Sequence, residues 1–542
     1  MQKMRVILLL IAVWMSIDGC SQLIKPHFIQ NHGDIYLANE LNTKFYTKKK
    51  ILEIVSTIKT NNIQLIDDRG ISINHPYDQA VFPRDIASPW FSWDDSQPGV
   101  GVWLIHIGFE GKDFSINTLS SKTRWIPDQK IWEIIKENAV TNNVQVTILG
   151  ANRKAGYSVE SKKSITISIS KDAVGAPIVY QQMPLPILEG SKHPDQFRWL
   201  LADLSSYHEP RIILEKQRVC GMCHHFSQDG KIFGMDLDIG GDKGSYGLSR
   251  VSKHMEFTQD DFISWTKFQN DGETTLGLFS KISPDGNYVI STIKEKRIFI
   301  TIDDLEFSEL FFAFTGVLAC YSIPDNRFFL LPGADDPDYV HLGPTWSPEN
   351  RYIVFSRARA KNEFDIMGNQ KFIKASKGMR IRELNKKYQL RYDLYRIPFN
   401  HGNGGTPEPL QGASHNGKSN YWPRYSPDGK WIVFVKSDNA LMNQPGSQLY
   451  ILPAQGGEPR KMTCSRKVHN SWHSWSPNGR WLVFSSKVNT PFTELFLAHV
   501  DENGNDSPPV LLFRLNSKYL ASVLPEFANI QPDAIQKIIV KP

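Results

Sequence analysis

Cysteine is scarce in this sequence, and its scarcity limits the chemistry that cysteines can support. Only five occur in 542 residues. Cys320 and Cys464 are isolated in apolar, strand-like surroundings, which are typical of buried thiols. No second Cys-x-x-Cys accompanies the pair formed by Cys220 and Cys223. A structural zinc site needs four ligands, so this absence argues against one.

Long apolar runs are missing beyond the first twenty residues. Lys3 and Arg5 precede an apolar stretch over residues 6–15, and Gly19 stands before Cys20. This arrangement is typical of a secretory signal peptide. The stretch is shorter than the roughly 20 residues that a membrane-spanning helix needs. Residues 1–19 are therefore predicted to be a signal peptide, and the mature protein is expected outside the cytoplasm.

The residues before Cys20 resemble a bacterial lipobox, in which the cysteine is lipidated and becomes the mature N-terminus. Asp18 departs from the usual small or apolar residue, so simple cleavage is the alternative. Ser21 provides no aspartate-type signal for retention at the inner membrane. We therefore predict an outer-membrane lipoprotein in the periplasm, held to the membrane only through Cys20.

A strong net charge and a hydrolase motif are also absent. The formal charge of +6 is small for this length, and it indicates a mildly basic surface without a nucleic-acid partner. No Gly-x-Ser-x-Gly elbow is present, which argues against an α/β-hydrolase. The sequence does not decide whether the protein is an enzyme of another class.

Aromatic residues and turn formers are abundant, and this composition favours an all-β protein. The chain has 14 Trp, 32 Pro and 37 Gly. Short strand-like stretches within residues 75–212, such as the alternating residues 164–170, predict a β-sandwich of immunoglobulin or fibronectin type. Residues 20–74 form a preceding segment of unassigned role. Residues 213–535 are predicted to form a separate repeat domain.

The repeat combines a tight turn with an apolar strand. Ser, Pro, Asp and Gly, or close substitutes, fit successive turn positions, because proline sets φ and glycine accepts the unusual dihedral. The residues that follow are apolar on both strand faces, as in a strand buried between stacked blades. Five copies begin at Ser227, Ser283, Ser347, Ser426 and Ser476.

These serines lie 56, 64, 79 and 50 positions apart. The intervals exceed the roughly 40–45 residues of a bare four-stranded blade, so the blades are predicted to carry insertions. We predict a β-propeller of six blades, with seven as the alternative. The repeat resembles the WD40-like PD40 repeat of TolB and its relatives, which implies the fold and no particular activity.

Residues 220–224 read Cys-Gly-Met-Cys-His, the pattern of c-type haem attachment. Two thiols three positions apart can each add to one vinyl group of a porphyrin, and the adjacent imidazole can then bind the iron. We predict one covalent haem c on Cys220 and Cys223, with His224 as an axial ligand. A redox disulfide, a metal site and a chance match are the alternatives.

The sixth iron ligand is less constrained by the sequence. Met235 lies one strand length beyond the turn at residues 229–230, so its strand can fold back over the haem. We name Met235 as the candidate ligand, against the alternative of a core methionine. His208, His254 and Met255 are further candidates. A methionine ligand would raise the reduction potential, whereas an open sixth site would permit ligand binding.

Several stretches together resemble a family of bacterial extracytoplasmic proteins that join a c-type haem motif to TolB-like repeats. The stretches are residues 165–178, 220–238 with 242–244, 392–400, 447–457 and 470–477. The resemblance spans about residues 76 to 530, and it implies a sandwich, a haem motif and a propeller in that order. It also implies Cys220, Cys223 and His224 as haem-binding positions, and it supplies no known reaction.

Three functions are compatible with this organisation. The first is electron transfer through the haem between periplasmic partners. The second is binding of an envelope protein, peptide or glycan by the propeller, with the haem structural or absent. The third is a haem enzyme or sensor with an open sixth site. The sequence favours the first function and does not identify the partner.

Overall fold

The computed structural model describes residues 29–31, 33–41, 45–61, 69–140, 143–190, 192–219, 221–301, 305, 310–364, 371–374 and 381–541. The predicted signal peptide, the predicted lipidation site Cys20 and the predicted haem-binding Cys220 lie outside these residues. Over the described ranges, no helix has both the length and the apolar character that crossing a membrane requires.

Strands dominate the described residues, so the predicted all-β fold class is confirmed. Over residues 29–170, the described part of the chain contains ten strands and two α-helices. The strands are β1 Ile29–Asn31, β2 Asp34–Asn39, β3 Ile71–His75, β4 Ala80–Pro83, β5 Phe91–Asp95, β6 Val102–Phe109, β7 Ser115–Ser120, β8 Arg124–Trp125, β9 Val144–Asn152 and β10 Ser158–Ser170. The helices are α1 Lys48–Asn61 and α2 Gln129–Ala139.

This N-terminal domain is built on a seven-stranded sheet, ordered β1-β2-β7-β6-β9-β10-β4, with a three-stranded sheet, β3-β5-β8, beside it. Strand β6 is apolar on both faces, because neighbouring residues Leu104 and Ile105 are both buried. Such a strand needs a covering layer on each side. Helix α1 packs on the Leu104 face, and helix α2 belongs to the core on the Ile105 face.

The predicted immunoglobulin-type sandwich differs from this arrangement. An immunoglobulin sandwich pairs two antiparallel sheets, whereas β2 pairs with β7 and β10 pairs with β4 in parallel. The segment of unassigned role also belongs to this domain, since β1, β2 and α1 come from it. The alternating pattern at residues 164–170 identified strand β10 correctly, but it did not reveal the partners of that strand.

The rest of the chain supplies the propeller. Its strands are β11 Ile178–Met183, β12 Arg198–Ala202, β13 Arg211–Glu215, β14 His224–Phe226, β15 Ile232–Asp236, β16 Ser245–Arg250, β17 His254–Phe257, β18 Phe262–Ser264, β19 Leu278–Ile282, β20 Tyr288–Ile293, β21 Arg297–Thr301, β22 Leu310–Ala313, β23 Val317–Ser322, β24 Arg327–Leu330, β25 Tyr339–Trp346, β26 Tyr352–Arg359, β27 Lys371–Lys374, β28 Asp393–Pro398, β29 Glu408–Pro409, β30 Ser419–Tyr425, β31 Trp431–Ser437, β32 Gln448–Pro453, β33 Arg460–Lys461, β34 Asn470–Trp475, β35 Trp481–Ser486, β36 Glu494–His499, β37 Val510–Leu511, β38 Ala521–Phe527 and β39 Lys537–Val540. Three short helices interrupt them, α3 Ile187–Gly190, α4 Trp265–Gln269 and α5 Ile381–Lys387.

Six four-stranded sheets form the blades. Their orders are β14-β15-β16-β18, β19-β20-β23-β24, β25-β26-β28-β29, β30-β31-β32-β33, β34-β35-β36-β37 and β13-β12-β11-β38. One edge strand of each sheet contacts the corresponding strand of the next blade, and the series β14, β19, β25, β30, β34, β38 returns to β14. These six inner strands therefore surround a common axis.

The sixth blade joins the two ends of the propeller sequence. Strand β38 pairs antiparallel with β11, so that Phe527 lies opposite Ile178. The propeller therefore begins near Ile178. The sequence predicted that the preceding domain would extend to residue 212, and this boundary wrongly assigns β11, β12 and part of β13 to that domain. A second closure follows, because β39 pairs in parallel with β17 of the first blade.

The repeat turns hold the start of each second strand in place. Ser426 Oγ donates to Asp428 Oδ1 at 2.6 Å and accepts the Trp431 N–H at 3.0 Å. Gly429 donates its N–H to the Ser426 carbonyl and has a φ of 71°. The serine hydroxyl accepts the equivalent N–H in the four other copies. The predicted role of the repeat as a turn before a buried strand is confirmed.

Candidate functional site on the propeller axis

Five of the six inner strands contain one residue whose backbone is in the left-handed region. This residue lies four positions before the repeat serine, or before Ala528, which takes the place of the serine in the sixth blade. The hydrogen-bond register shifts there in each of these strands. The residues are Phe279, Gly343, Trp422, Trp472 and Leu524, with φ between 50° and 61°. Strained backbone of this kind persists where the surrounding structure holds it, and it clusters at functional sites. Cys223 occupies the equivalent position in the first blade, four residues before Ser227.

These equivalent positions surround a cavity of about 50 Å³, which we call the inner cavity. Cys223 and His224 form part of its wall, together with the rings of Phe279, Trp422 and Trp472. The Trp422 and Trp472 rings meet edge to face, with their centroids 3.7 Å apart. The fold thus brings the second cysteine and the histidine of the motif to the propeller axis, among aromatic side chains.

His224 is buried, with 4% of its surface exposed. Its Nε2 lies 3.2 Å from the Val179 carbonyl oxygen on β11. Its Nδ1 is buried and makes no hydrogen bond of normal geometry within the described ranges. Burial lowers the pKa of His224 to about 4, so the imidazole is neutral at pH 7. A neutral imidazole held by a backbone carbonyl at one nitrogen matches the pattern of metal-ligating histidines.

The surroundings of Cys223 differ from those of most reactive cysteines. Burial, together with the nearby Asp236, raises the pKa of its thiol above the ordinary value. Redox-active cysteines of the Cys-x-x-Cys type instead have a lowered pKa, which favours the thiolate. The surroundings of Cys223 therefore argue against the redox-disulfide alternative.

Met235 lies directly opposite His224 in the β14–β15 pair. Paired residues of antiparallel strands project their side chains from the same face of the sheet. Met235 is completely buried and belongs to an apolar cluster with Phe233 and Met255. The structure thus places Met235 beside His224 and within the core, and the methionine is absent from the residues that line the inner cavity.

A ring of polar side chains lies one step further along the axis, two positions before each repeat serine or its equivalent. Its members are His225, Lys281, Thr345, Arg424, Ser474 and Glu526. All six line a second cavity of about 210 Å³, which we call the outer cavity. Lys281, Arg424 and Glu526 also line the inner cavity. The polar ring therefore separates the two cavities.

Glu526 is the centre of the charged part of this ring. Arg424 Nη2 donates to Glu526 Oε2 at 3.0 Å, and Lys281 Nζ lies 4.0 Å from the same oxygen. His225 Nδ1 accepts the Ile282 N–H at 3.2 Å. The neutral ring must therefore carry its proton on Nε2, and Nε2 faces Glu526 Oε1 at 3.4 Å.

Burial perturbs several ionisable groups near the polar ring. Burial, together with the neighbouring Arg424, lowers the pKa of Lys281 to about 8. Burial also lowers the pKa of His225 well below its ordinary value, and it raises the pKa of Asp236 to about 7. Perturbed groups that gather around a cavity are typical of functional sites.

Sequence reasoning identified Cys223 and His224 but missed the polar ring. A signal was present, since aligning the repeats on their serines shows no apolar residue two positions earlier. The ring lacked a recognisable motif because each blade contributes only one member. Across the described ranges, no group of three or more His, Cys, Asp or Glu side chains is placed to hold a metal ion.

No known protein family matches the sequence, and no curated protein is significantly similar to it. Among solved structures, the chain is similar to TolB from Acinetobacter baumannii at 13% identity and a TM-score of 0.39, over 71% of this chain and 79% of that chain. It is similar to a putative TolB from Agrobacterium tumefaciens at 13% identity and a TM-score of 0.33, over 65% and 98%. An oligogalacturonate lyase in complex with manganese has 13% identity and a TM-score of 0.34, over 55% and 68%. These similarities concern the fold and leave the activity open.

Proposed function

We propose that this protein is exported to the cell envelope and carries one covalent haem c on Cys220 and Cys223, with His224 as an axial ligand. Its function in this proposal is electron transfer to a periplasmic redox or envelope protein. The observation that carries the proposal is the position of Cys223 and His224, side by side in the wall of the inner cavity.

The donor set of the motif is suited to this haem. His224 offers a buried, neutral imidazole whose Nδ1 has no hydrogen-bond partner of normal geometry among the described residues. The inner cavity itself holds about 50 Å³, far less than the roughly 300–1,000 Å³ of ordinary ligand pockets. The inner cavity as it stands is therefore too small to enclose a haem.

The bound haem would supply a reversible one-electron couple. The two cysteines would anchor it, since each sulfur bonds to one vinyl carbon while the thiol hydrogen passes to the other carbon. The Val179 carbonyl would fix the tautomer and orientation of His224. Trp422 and Trp472 would keep water away from that side of the axis.

A pyridine haemochrome spectrum of the mature full-length protein, produced together with the c-type haem maturation machinery, tests the proposal. We expect one covalent haem per chain. Replacing both Cys220 and Cys223 with Ala should abolish it, whereas Cys464→Ala should retain it, because Cys464 is buried in a different blade. A wild-type protein without covalent haem would overturn the proposal.

The spectrum of the iron distinguishes electron transfer from the enzyme or sensor alternative. Electron transfer predicts six-coordinate, low-spin iron that can be reduced and reoxidised reversibly. An enzyme or sensor predicts high-spin iron that binds carbon monoxide or peroxide readily. Met235 is buried in the core, so in this proposal the sixth ligand would be a residue other than Met235.

A second candidate function is partner binding by the propeller without a redox role. The outer cavity, with its polar ring, favours this candidate because pockets with apolar walls and a few polar groups bind ligands. In that case the double Cys220→Ala, Cys223→Ala variant should capture the same envelope partner as the wild type.

The proposed location is the periplasmic side of the outer membrane, with Cys20 as the lipid anchor. The basis is the signal-like arrangement of residues 1–20. Metabolic labelling with radioactive palmitate should mark the wild type and leave Cys20→Ala unlabelled. Labelling of neither protein, with export intact, would indicate simple cleavage in place of lipidation.

A further inference from the structure

We infer that the outer cavity binds a small organic monocarboxylate, whose carboxylate is held by Lys281 and Arg424. This inference concerns the polar ring and does not depend on haem.

The ring carries an excess of one positive charge. Lys281 and Arg424 are cationic, Glu526 is anionic, and His225 is neutral because its Nδ1 accepts a backbone N–H. Glu526 has its direct hydrogen bond from Arg424 at 3.0 Å. One carboxylate is thus shared between two cations in a mostly buried setting, and an uncompensated charge in such a setting is costly. A bound monoanion would balance the ring.

Lys281 is the cation of the ring that has no hydrogen-bonded counter-ion. Its Nζ lies 4.0 Å from Glu526 Oε2, which is beyond hydrogen-bond distance. The ammonium has no other hydrogen-bond or ion-pair partner within 4 Å among the described residues, and only 13% of the side chain is exposed. Its three N–H donors therefore have capacity for a ligand oxygen in the cavity that the side chain lines.

The wall of the outer cavity suits an organic ligand. Trp346, Tyr425 and Trp475 line it. The repeat prolines also line it, namely Pro284, Pro348, Pro427 and Pro477. The polar ring, with Ser227, Gln228 and Asn529, supplies the polar part of the wall, and about 210 Å³ is below the usual range for drug-sized ligands. The cavity therefore fits a small molecule with one carboxylate and one apolar group.

Glu526 also limits the charge of the ligand. A phosphate group carries about −1.5 to −2 at pH 7, and it would face the Glu526 carboxylate across the same ring. A monocarboxylate matches the excess of one positive charge without adding this repulsion. Arg424 contributes because a guanidinium presents several N–H donors, of which one is used by Glu526.

Isothermal titration calorimetry of the full-length mature chain with phenylacetate tests the inference. The neutral phenylacetamide serves as the matched probe, and inorganic phosphate serves as the anion without an apolar group. The chain is produced without haem maturation, so failure here leaves the haem proposal untouched. We expect phenylacetate to bind and phenylacetamide to bind at least tenfold more weakly, since hydrogen bonds in which both partners are charged are stronger than those with a neutral partner.

Lys281→Met should weaken phenylacetate binding about tenfold or more. Lys418→Met is the control, because Lys418 is on the surface and pairs with Asp438 at 2.7 Å, away from the outer cavity. That variant should bind phenylacetate as the wild type does. Equal binding by wild type and Lys281→Met would overturn the inference.

Two further outcomes would also overturn it. Phenylacetate and phenylacetamide could bind equally well or not at all, which would remove the role of the carboxylate. Inorganic phosphate could bind as tightly as phenylacetate, which would remove the preference for an organic monoanion. Both comparisons use the unaltered protein, so they decide the matter even if Lys281→Met does not fold.

Discussion

His225 Nε2 lies 3.4 Å from Glu526 Oε1, and this contact joins the first inner strand of the propeller to the last. Glu526 also accepts a hydrogen bond from Arg424 of the fourth blade. The strands β14 and β38 meet where the propeller closes, and the Glu526 carboxylate links them. The same carboxylate also binds Arg424 on β30, in a blade that is adjacent to neither of the two blades that meet at the closure. The charged ring therefore stabilises the closed form of the propeller as well as lining a cavity.

Replacing Glu526 with Gln should destabilise the protein by roughly 3 kcal/mol, because it leaves two mostly buried cations without their carboxylate. Urea unfolding followed by tryptophan fluorescence measures the loss. Glu502→Gln is the control, since Glu502 is 75% exposed in its ion pair with Arg480, and it should change stability by no more than about 0.5 kcal/mol. Similar losses in both variants would contradict a structural role for the Glu526 contacts.

A fragment that begins at residue 216 should fail to unfold cooperatively in urea. It contains every copy of the repeat, but it lacks β11, β12 and β13, so β38 loses its pairing partner and the sixth blade cannot form. A fragment that begins at residue 173 keeps all six blades and should show a cooperative transition. Cooperative unfolding of the shorter fragment would show that the sixth blade is dispensable.

Two buried histidines should each lower the free energy of unfolding as the pH drops from about 6.5 to about 4. Burial lowers the pKa of His75 and of His341 to about 4, whereas an unperturbed histidine titrates near 6.5. Between these values each of the two histidines binds more protons in the unfolded chain than in the folded protein. Their contribution to stability therefore rises with pH across this range and is lost on acidification.

Urea titrations at several pH values within this range give the slope of stability against pH. His341→Gln removes one such group and should reduce the slope by up to about 1.4 kcal/mol per pH unit. His254→Gln, at an exposed position, should leave the slope unchanged. Identical slopes in the wild type and His341→Gln would contradict this prediction.

If the proposed haem is bound, Met235→Leu should leave the absorption spectrum of its reduced form unchanged, because Met235 is a core residue beside His224. The exchange nearly conserves volume and should cost less than about 1.5 kcal/mol of stability. His224→Ala is the contrasting variant, and it should change the spectrum. A spectral change in Met235→Leu, with stability preserved, would instead identify Met235 as the sixth ligand.

Much of the propeller was predictable because its repeat acts locally. The hydrogen bonds of Ser426 all lie within six residues of the chain, so the local sequence Ser-Pro-Asp-Gly is sufficient to specify the turn. The sixth blade has no such copy, since Ala528 stands where the other blades have serine. Its identity depends on the pairing of Ile178 with Phe527, and nothing in either segment alone specifies a partner so distant in the chain.

The candidate site likewise has one part that the sequence predicted and one part that only the fold assembles. The sequence by itself determined that Cys223 and His224 form one motif with Cys220, because that chemistry depends on the spacing of adjacent residues. Only the tertiary structure decided that this motif meets an aromatic wall on the axis and adjoins a charged ring. Members of that ring such as Lys281 and Glu526 come from different blades and become neighbours only when the propeller closes. The local pattern therefore specified the turns and the motif, whereas the closure of the six blades created the cavities.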